Sequence, residues 1–267
     1  MAGATRSYIA HKYANVLGVA VSAIDLPRAV ELAERWIAER QPGYICITGV
    51  HGVMEAQRDI ELRRILNHAV MNTPDGMPMS WVGHFQGLKE MDRVFGPDFM
   101  LSLCERSVEE GHRHFLYGGS PGVAEELKSA LEARITGIRI VGTYSPPFRE
   151  LRGEEEEELI AKVQACRPDI LWVGLSTPKQ ERFMARYVDR LGVPLLVGVG
   201  AAFDFHTGRI RDCSDWIKRA GLQWLHRLAQ NPRHLWRRYL RNNPVFVWKI
   251  ALQLLRIRHS DAVEYRV

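Results

Sequence analysis

The strongest constraint on this chain is a regular alternation of short apolar runs with longer amphipathic segments. Ile170-Leu-Trp-Val-Gly174 and Leu195-Leu-Val-Gly198 carry no polar side chain on either face, as expected of strands covered on both sides rather than wetted on one. The intervening segments have helical length, roughly 10–15 residues. Strands are predicted at Val16–Ile24, Tyr44–Thr48, His114–Tyr117, Ile138–Thr143, Asp169–Gly174 and Pro194–Gly198. Helices are predicted at Leu26–Arg40 with Asp25 as cap, Val53–His68, Pro97–Glu110, Gly122 to about Ile135, Glu154–Cys166 and Pro178–Leu191. Val70–Gly87, with Pro74, Gly76 and Pro78, reads as irregular. Such alternation defines an α/β protein, a parallel sheet flanked by helices, with ligands at the C-terminal strand ends.

Charge divides the chain in two. From Arg209 to Arg258 there are twelve Lys or Arg against two Asp, a local balance of about +10 in a protein whose total is +5. The remainder is therefore mildly acidic, and an anionic partner is expected at the tail. Asn231-Pro232 and Asn243-Pro244 each set a capping residue before a proline at the first helical position, predicting two helices. They follow one around Trp216–Leu228. A boundary near 205–210 gives a body, residues 1–208, and a basic amphipathic helical appendage, residues 209–267. The appendage can lie on anionic lipid, bind nucleic-acid phosphates, or pack on the body as a solvated face. The interleaved Trp216, Trp224, Trp236, Tyr239 and Trp248 favour a membrane interface.

The other signals are exclusions. The N-terminal MAGATRSYIAHKYANV has no continuous apolar core, so no signal peptide is expected. No run reaches the roughly 20 apolar residues a spanning helix needs. Cys46, Cys104, Cys166 and Cys213 are far apart with no C-x-x-C pair, which leaves zinc and redox motifs unsupported and fits a reducing compartment. The histidines show no metal-binding spacing. Gly198-Val-Gly200-Ala-Ala-Phe203 is a broken dinucleotide fingerprint with phenylalanine in the third glycine position, which weakens a nicotinamide reading.

Three loops carry candidate chemistry. Tyr117-Gly-Gly-Ser-Pro-Gly122 joins a strand to a helix and suits a diphosphate through Gly118 and Gly119, or is simply a tight turn. Asp75, in Thr73-Pro-Asp-Gly-Met-Pro78, has the setting of a general base. Taken alone it reads more readily as an Asx-turn residue. Gln180 and Glu181 begin a helix beside a strand end and can meet a base or ribose. No D-x-D pair occurs, so helix dipoles and Arg or Lys would have to neutralise any leaving diphosphate.

Taken in order, Thr73-Pro-Asp-Gly-Met-Pro, Asp92-Arg-Val-Phe-Gly-Pro-Asp98, Tyr117-Gly-Gly-Ser-Pro-Gly, Asp169-Ile-Leu-Trp-Val-Gly-Leu-Ser-Thr-Pro-Lys-Gln-Glu181, Gly198-Val-Gly-Ala-Ala-Phe-Asp204 and Gly221-Leu-Gln-Trp-Leu-His-Arg227 with Asn231-Pro-Arg-His-Leu-Trp-Arg-Arg-Tyr239 closely resemble the WecG/TagA/CpsF glycosyltransferases, glycosyltransferase family 26. The resemblance covers roughly residues 15–255. It implies a Rossmann-like body whose helical appendage helps to close the active site and meets the membrane. It also implies inverting, metal-independent transfer, with no cofactor, from a UDP-sugar to an undecaprenyl-diphosphate-linked sugar. The setting is the cytoplasmic membrane face, in teichoic acid, common antigen or exopolysaccharide synthesis. Homo-oligomers are compatible with the family; nucleic acid is not an expected partner.

By that resemblance Asp75 is the base, Thr48 contacts substrate, and Arg93 lies near the donor diphosphate or sugar. Gln180 and Asp204 line the uridine and ribose pocket, and Arg227 and Arg237 grip the lipid diphosphate or the product side. Departures are Val50 where many members have Asn, Gln223 where Glu is usual, and Arg233-His234 where an Arg pair is common. The acceptor grip accordingly passes to Arg233 or His234. The competing class is a membrane-surface or nucleic-acid binding module with a non-catalytic nucleotide-binding body.

Overall fold

The computed structural model describes residues 11–255, without the side chain of His234. The first ten residues, on which part of the no-leader expectation rests, and Arg256 and Arg258 of the basic tail lie outside the described residues.

The predicted alternation folds as a six-stranded parallel sheet. Its strands are β3 (Gly43–Thr48), β4 (Met71–Pro74), β5 (Arg113–Gly118), β6 (Arg139–Tyr144), β7 (Ile170–Gly174) and β8 (Leu195–Gly198), in the order β4-β3-β8-β7-β5-β6. The apolar runs behave as their composition dictates. Leu171, Val173 and Leu196 enter the core on one face, while Ile170, Trp172, Leu195 and Val197 enter the core on the other. Side chains alternate across a strand, so a central strand buried on both faces has no solvent-facing position for polar side chains.

A short antiparallel hairpin, β1 (Tyr13–Val16) with β2 (Val19–Ser22), replaces the single strand expected over Val16–Ile24. The two residues between them, Leu17 and Gly18, both have positive φ, 53° and 83°. That is the backbone of a two-residue hairpin turn, and the Asn15 side chain accepts from the Gly18 N–H at 2.8 Å.

Helices α1 (Leu26–Glu39), α5 (Gly96–Glu110), α6 (Val123–Arg134), α7 (Glu154–Cys166) and α8 (Lys179–Tyr187) follow the expected pattern, and Asp25 caps α1 through the Arg28 N–H. The helix expected over Val53–His68 is two, α2 (Val50–Ala56) and α3 (Ile60–His68), because the Asp59 side chain takes the Leu62 N–H and starts a new helix. The irregular reading of Val70–Gly87 is overturned by β4 and α4 (Met77–Phe85). Pro74 ends an edge strand, where its missing N–H costs no ladder bond. Pro78 sits in the first turn of α4, where proline is favoured.

Helix α9 (Ala202–His206) leads into the appendage, where the expectations fail in two places. The segment near Trp216–Leu228 is two short helices, α10 (Asp215–Arg219) and α11 (Gln223–Gln230), separated at Gly221 with φ 71°. The two helices expected from Asn231 and Asn243 are one, α12 (Pro232–Leu254), running through Pro244. Pro244 supplies no N–H for the Leu240 carbonyl, but tertiary packing holds the helix across it. Phe246 and Ile250 are buried in the same core as Val53 and Tyr44. Asn242, beside the expected cap Asn243, is 3% exposed and bonds to Arg58 and His51 of the body.

Candidate active site

A cavity of about 970 Å³ opens at the C-terminal ends of β3, β4, β7 and β8 and is roofed by α4, α11 and α12. Asp75 lies just past β4, where its N–H donates to the Thr48 carbonyl at 3.0 Å. Neighbouring strand ends thus fix the base candidate through the backbone. The fit is tight: a Cβ built on Gly49 would stand 2.9 Å from the Asp75 carbonyl oxygen and 3.4 Å from Oδ2.

The Asp75 carboxylate lines the cavity and accepts no hydrogen bond among the described residues. Burial raises its pKa, against the pull of Arg93, Arg227 and Arg238. A carboxylate that is costly to ionise and has no fixed partner is free to take a proton from a substrate. The Asx-turn role does not describe it.

The guanidiniums differ in their placement. Arg227 lines the cavity and lies over the Phe205 ring, 5.7 Å from its centroid. Arg238 also lines it; burial lowers its pKa, and its Nε is buried without a partner among the described residues. Arg93 stands at the junction of body and appendage. It donates to Gln223 Oε1 at 3.1 Å, reaches Asp98 at 3.5 Å and lies 4.3 Å over the Phe95 ring. Gln223 therefore accepts from Arg93 without cancelling its charge.

Gln180 and Asp204 line the same cavity. Gln180 Nε2 donates to Glu181 Oε1 at 3.0 Å, leaving the buried Gln180 Oε1 without a partner among the described residues. Glu181 also accepts from Thr177 Oγ1 at 2.9 Å, and burial raises its pKa. Burial likewise raises that of Asp204, against Arg209 and Arg227.

The structure thus gathers Asp75, Gln180, Asp204 and Arg227 around one space, with Thr48 and Arg93 immediately behind it. It does not bring in Gly118 and Gly119. The Gly119 N–H is spent on the Gly174 carbonyl at 3.0 Å. A Cβ on Gly118 would strike that same carbonyl at 2.5 Å, so strand packing accounts for that glycine. Arg233 and Arg237 are exposed and outside the cavity lining, and the side chain of His234 lies outside the described residues.

Three residues that sequence reasoning did not select join the site: Arg238, His51 and Asn242. Arg238 was legible only as one of the arginines around a helix face of Leu235, Trp236, Tyr239 and Leu240. Among the described residues no cluster of His, Cys, Asp or Glu is arranged to hold a metal ion.

A parallel sheet whose strand ends bring the Asp75 carboxylate and several guanidiniums to one cavity has the parts of a glycosyltransferase: a base, and cations for a departing anion. The chain matches the family described as Glycosyl transferase WecG/TagA/CpsF family over residues 14–260. It is 30% identical over 186 residues to the N-acetylglucosaminyldiphosphoundecaprenol N-acetyl-beta-D-mannosaminyltransferase of Bacillus spizizenii, covering 70% of each chain. It is 25% identical over 235 residues to the protein of that name from Bacillus subtilis strain 168, covering 88% of this chain and 87% of the other. The chain belongs to the WecG/TagA/CpsF family and is a glycosyltransferase of the hexosyl-transferring kind.

Proposed function

We propose that this protein transfers an N-acetylhexosamine-type sugar from a UDP-sugar to a polyprenyl-diphosphate-linked N-acetylglucosamine, with inversion and without a metal, at the inner surface of the membrane. The names of its relatives make N-acetylmannosamine the first donor to try. The observation that carries the reading is Asp75, facing the cavity with a burial-raised pKa and the charges of Arg93, Arg227 and Arg238 around it.

Asp75 takes the proton of the acceptor hydroxyl as that oxygen attacks the anomeric carbon. The glycosidic bond to UDP breaks in the same displacement, and the charge on the leaving diphosphate is met by the guanidiniums. Gln180 Oε1 and Asp204 supply acceptors for hydroxyl or N–H donors of the nucleotide sugar.

Peripheral membrane attachment fits the outer face of the appendage. Arg233, Arg237 and Arg241 are exposed there, with Trp216 and Trp248 67% and 66% exposed. No described helix is long and apolar enough to cross a membrane.

The test is UDP release from a panel of UDP-sugars in EDTA, with and without the lipid-linked acceptor. Acceptor-dependent release with one donor, lost in Asp75→Asn, is expected. Release that needs an added divalent metal, or that survives in Asp75→Asn, would refute the mechanism.

A further inference from the structure

The cavity is not uniform along its length. Asp75, Arg227 and Arg238 line it together with Trp81 and Phe85 of α4 and with Leu240, Val247 and Leu254, which run away from Arg238 along α12. Leu240, Pro244, Val247, Ala251 and Leu254 all line the cavity and recur at spacings of four and three, so they form one stripe of α12. The adjacent stripe, Tyr239, Asn242, Phe246 and Ile250, also borders the cavity but is buried against the body. One face of α12 therefore holds the fold together and the next face is left open.

Both walls are anchored at the same point. Gln86, just after α4, and Gln253, near the end of α12, each donate to the Asn15 carbonyl at 2.7 Å. The groove between them is fixed by hydrogen bonds to the β1–β2 hairpin. Phe85 is 76% and Val247 66% exposed, unlike core residues. From Leu240 to Leu254 the stripe runs about 21 Å, at 1.5 Å per helical residue.

Resting on the function proposed above, we infer that the α4–α12 groove takes the first isoprene units of the acceptor lipid out of the bilayer, with its diphosphate at the Arg227 and Arg238 end. Cationic and hydrocarbon surfaces follow one another within a single continuous cavity, in the order in which an isoprenoid diphosphate presents its head and tail. The charge complementarity at one end and the length of the apolar lining at the other name the same amphiphile. A surface that only rests on lipid would need neither a concave lining nor two walls tied to one carbonyl.

Calorimetric binding of methyl, geranyl and farnesyl diphosphate, below micelle-forming concentrations and without lipid or detergent, tests this. The dissociation constant should fall about tenfold or more from methyl to farnesyl, the scale expected when many methylene groups leave water. Val247→Asn and Ala251→Asn should each shrink that ratio severalfold. Trp248→Asn, equally exposed on the same helix but outside the lining, should keep it. A flat series in the wild-type protein overturns the inference. So does a Trp248→Asn variant that loses the ratio as fully as Val247→Asn, because binding would then follow greasy surface and not the groove. UDP release with a farnesyl-linked acceptor separates the two readings. Chain-length-dependent binding without turnover sinks the transfer reaction and leaves the groove, and turnover with flat binding sinks the groove alone.

Discussion

His51 Nδ1 lies 3.2 Å from Asn242 Nδ2, joining α2 to α12 across 191 positions of sequence. Asn242 Oδ1 is already engaged by Arg58 at 3.1 Å. The Asn242 amide nitrogen therefore donates to His51, and the ring is neutral with Nδ1 as acceptor.

Burial, and then the Arg238 charge, push the His51 pKa from 6.5 down to about 4. The unfolded chain takes up that proton first as pH falls. The contribution of His51 is thus fully present above about 6.5 and is lost on the way down to about 4, by about 3 kcal/mol in all. Urea unfolding at pH 7 and pH 4.5 should show a smaller acid loss for His51→Gln than for the wild-type protein. Equal losses would mean that His51 does not sit neutral between the two helices.

Asp75→Asn should lower turnover by about 10²–10⁴, the usual weight of a general base, while UDP still binds. Because burial raises the Asp75 pKa in the folded state, its contribution to stability is full below the unfolded value of 3.8 and is lost as pH rises from there through the folded value. The variant should therefore melt higher than the wild-type protein at pH 7, with the difference vanishing as pH falls below 3.8. A lower melting temperature at pH 7 would show that the guanidiniums outweigh desolvation.

The acid limb of the wild-type kcat/KM profile should lie above the 3.8 of an ordinary aspartate, for the same reason. A limb at or below that value would remove Asp75, as the structure presents it, from the essential base role.

The appendage arginines should divide by direction. Arg227→Gln and Arg238→Gln face the cavity and should each cost about tenfold or more in kcat/KM. Arg233→Gln and Arg237→Gln are exposed, so their main effect should be on partitioning to anionic vesicles. If the outward pair cost more in kcat/KM on a soluble acceptor than the inward pair, this division would be wrong.

Gly49→Ala tests the seating of the base. Its methyl would press the Asp75 carbonyl at 2.9 Å and must displace that segment. Small displacements of reacting groups are kinetically severe, so turnover should fall about tenfold or more with donor binding largely kept. Unchanged turnover would show that Asp75 tolerates displacement.

Much of the sheet was legible because strands such as β7 and β8 are short, apolar and covered on both faces, so their composition admits little else. The order of strands was not, since β3 meets β8 across 152 positions of sequence, Gly43 opposite Leu195, and no local pattern records that pairing. Prolines misled in both directions. Pro74 and Pro78 read as breakers yet end a strand and start a helix, and Pro244 read as a start yet lies inside α12. Local propensity gives way where Phe246 and Ile250 gain a core.

The site divides along the same line. Asp75 directly follows β4 and Gln180 opens the helix after β7, so chain order alone brings them near the sheet's C-terminal edge, whereas Asp204 in α9 was named only through the family resemblance. Gly118 and Gly119 carried a phosphate-binding signature, but a Cβ on Gly118 would strike the Gly174 carbonyl and one on Gly119 would strike Val123. Among the tail arginines, sequence supplied the charge and the helix but not its rotation. By itself the chain determined an α/β body, a strand-end carboxylate and a basic helical tail, because those depend on composition and local period. Only the tertiary structure decided that Arg238 faces inward while Arg237 faces out, and that α12 closes over Asp75. Those facts depend on which stripe of a helix finds a buried partner, and that partner lies on distant elements.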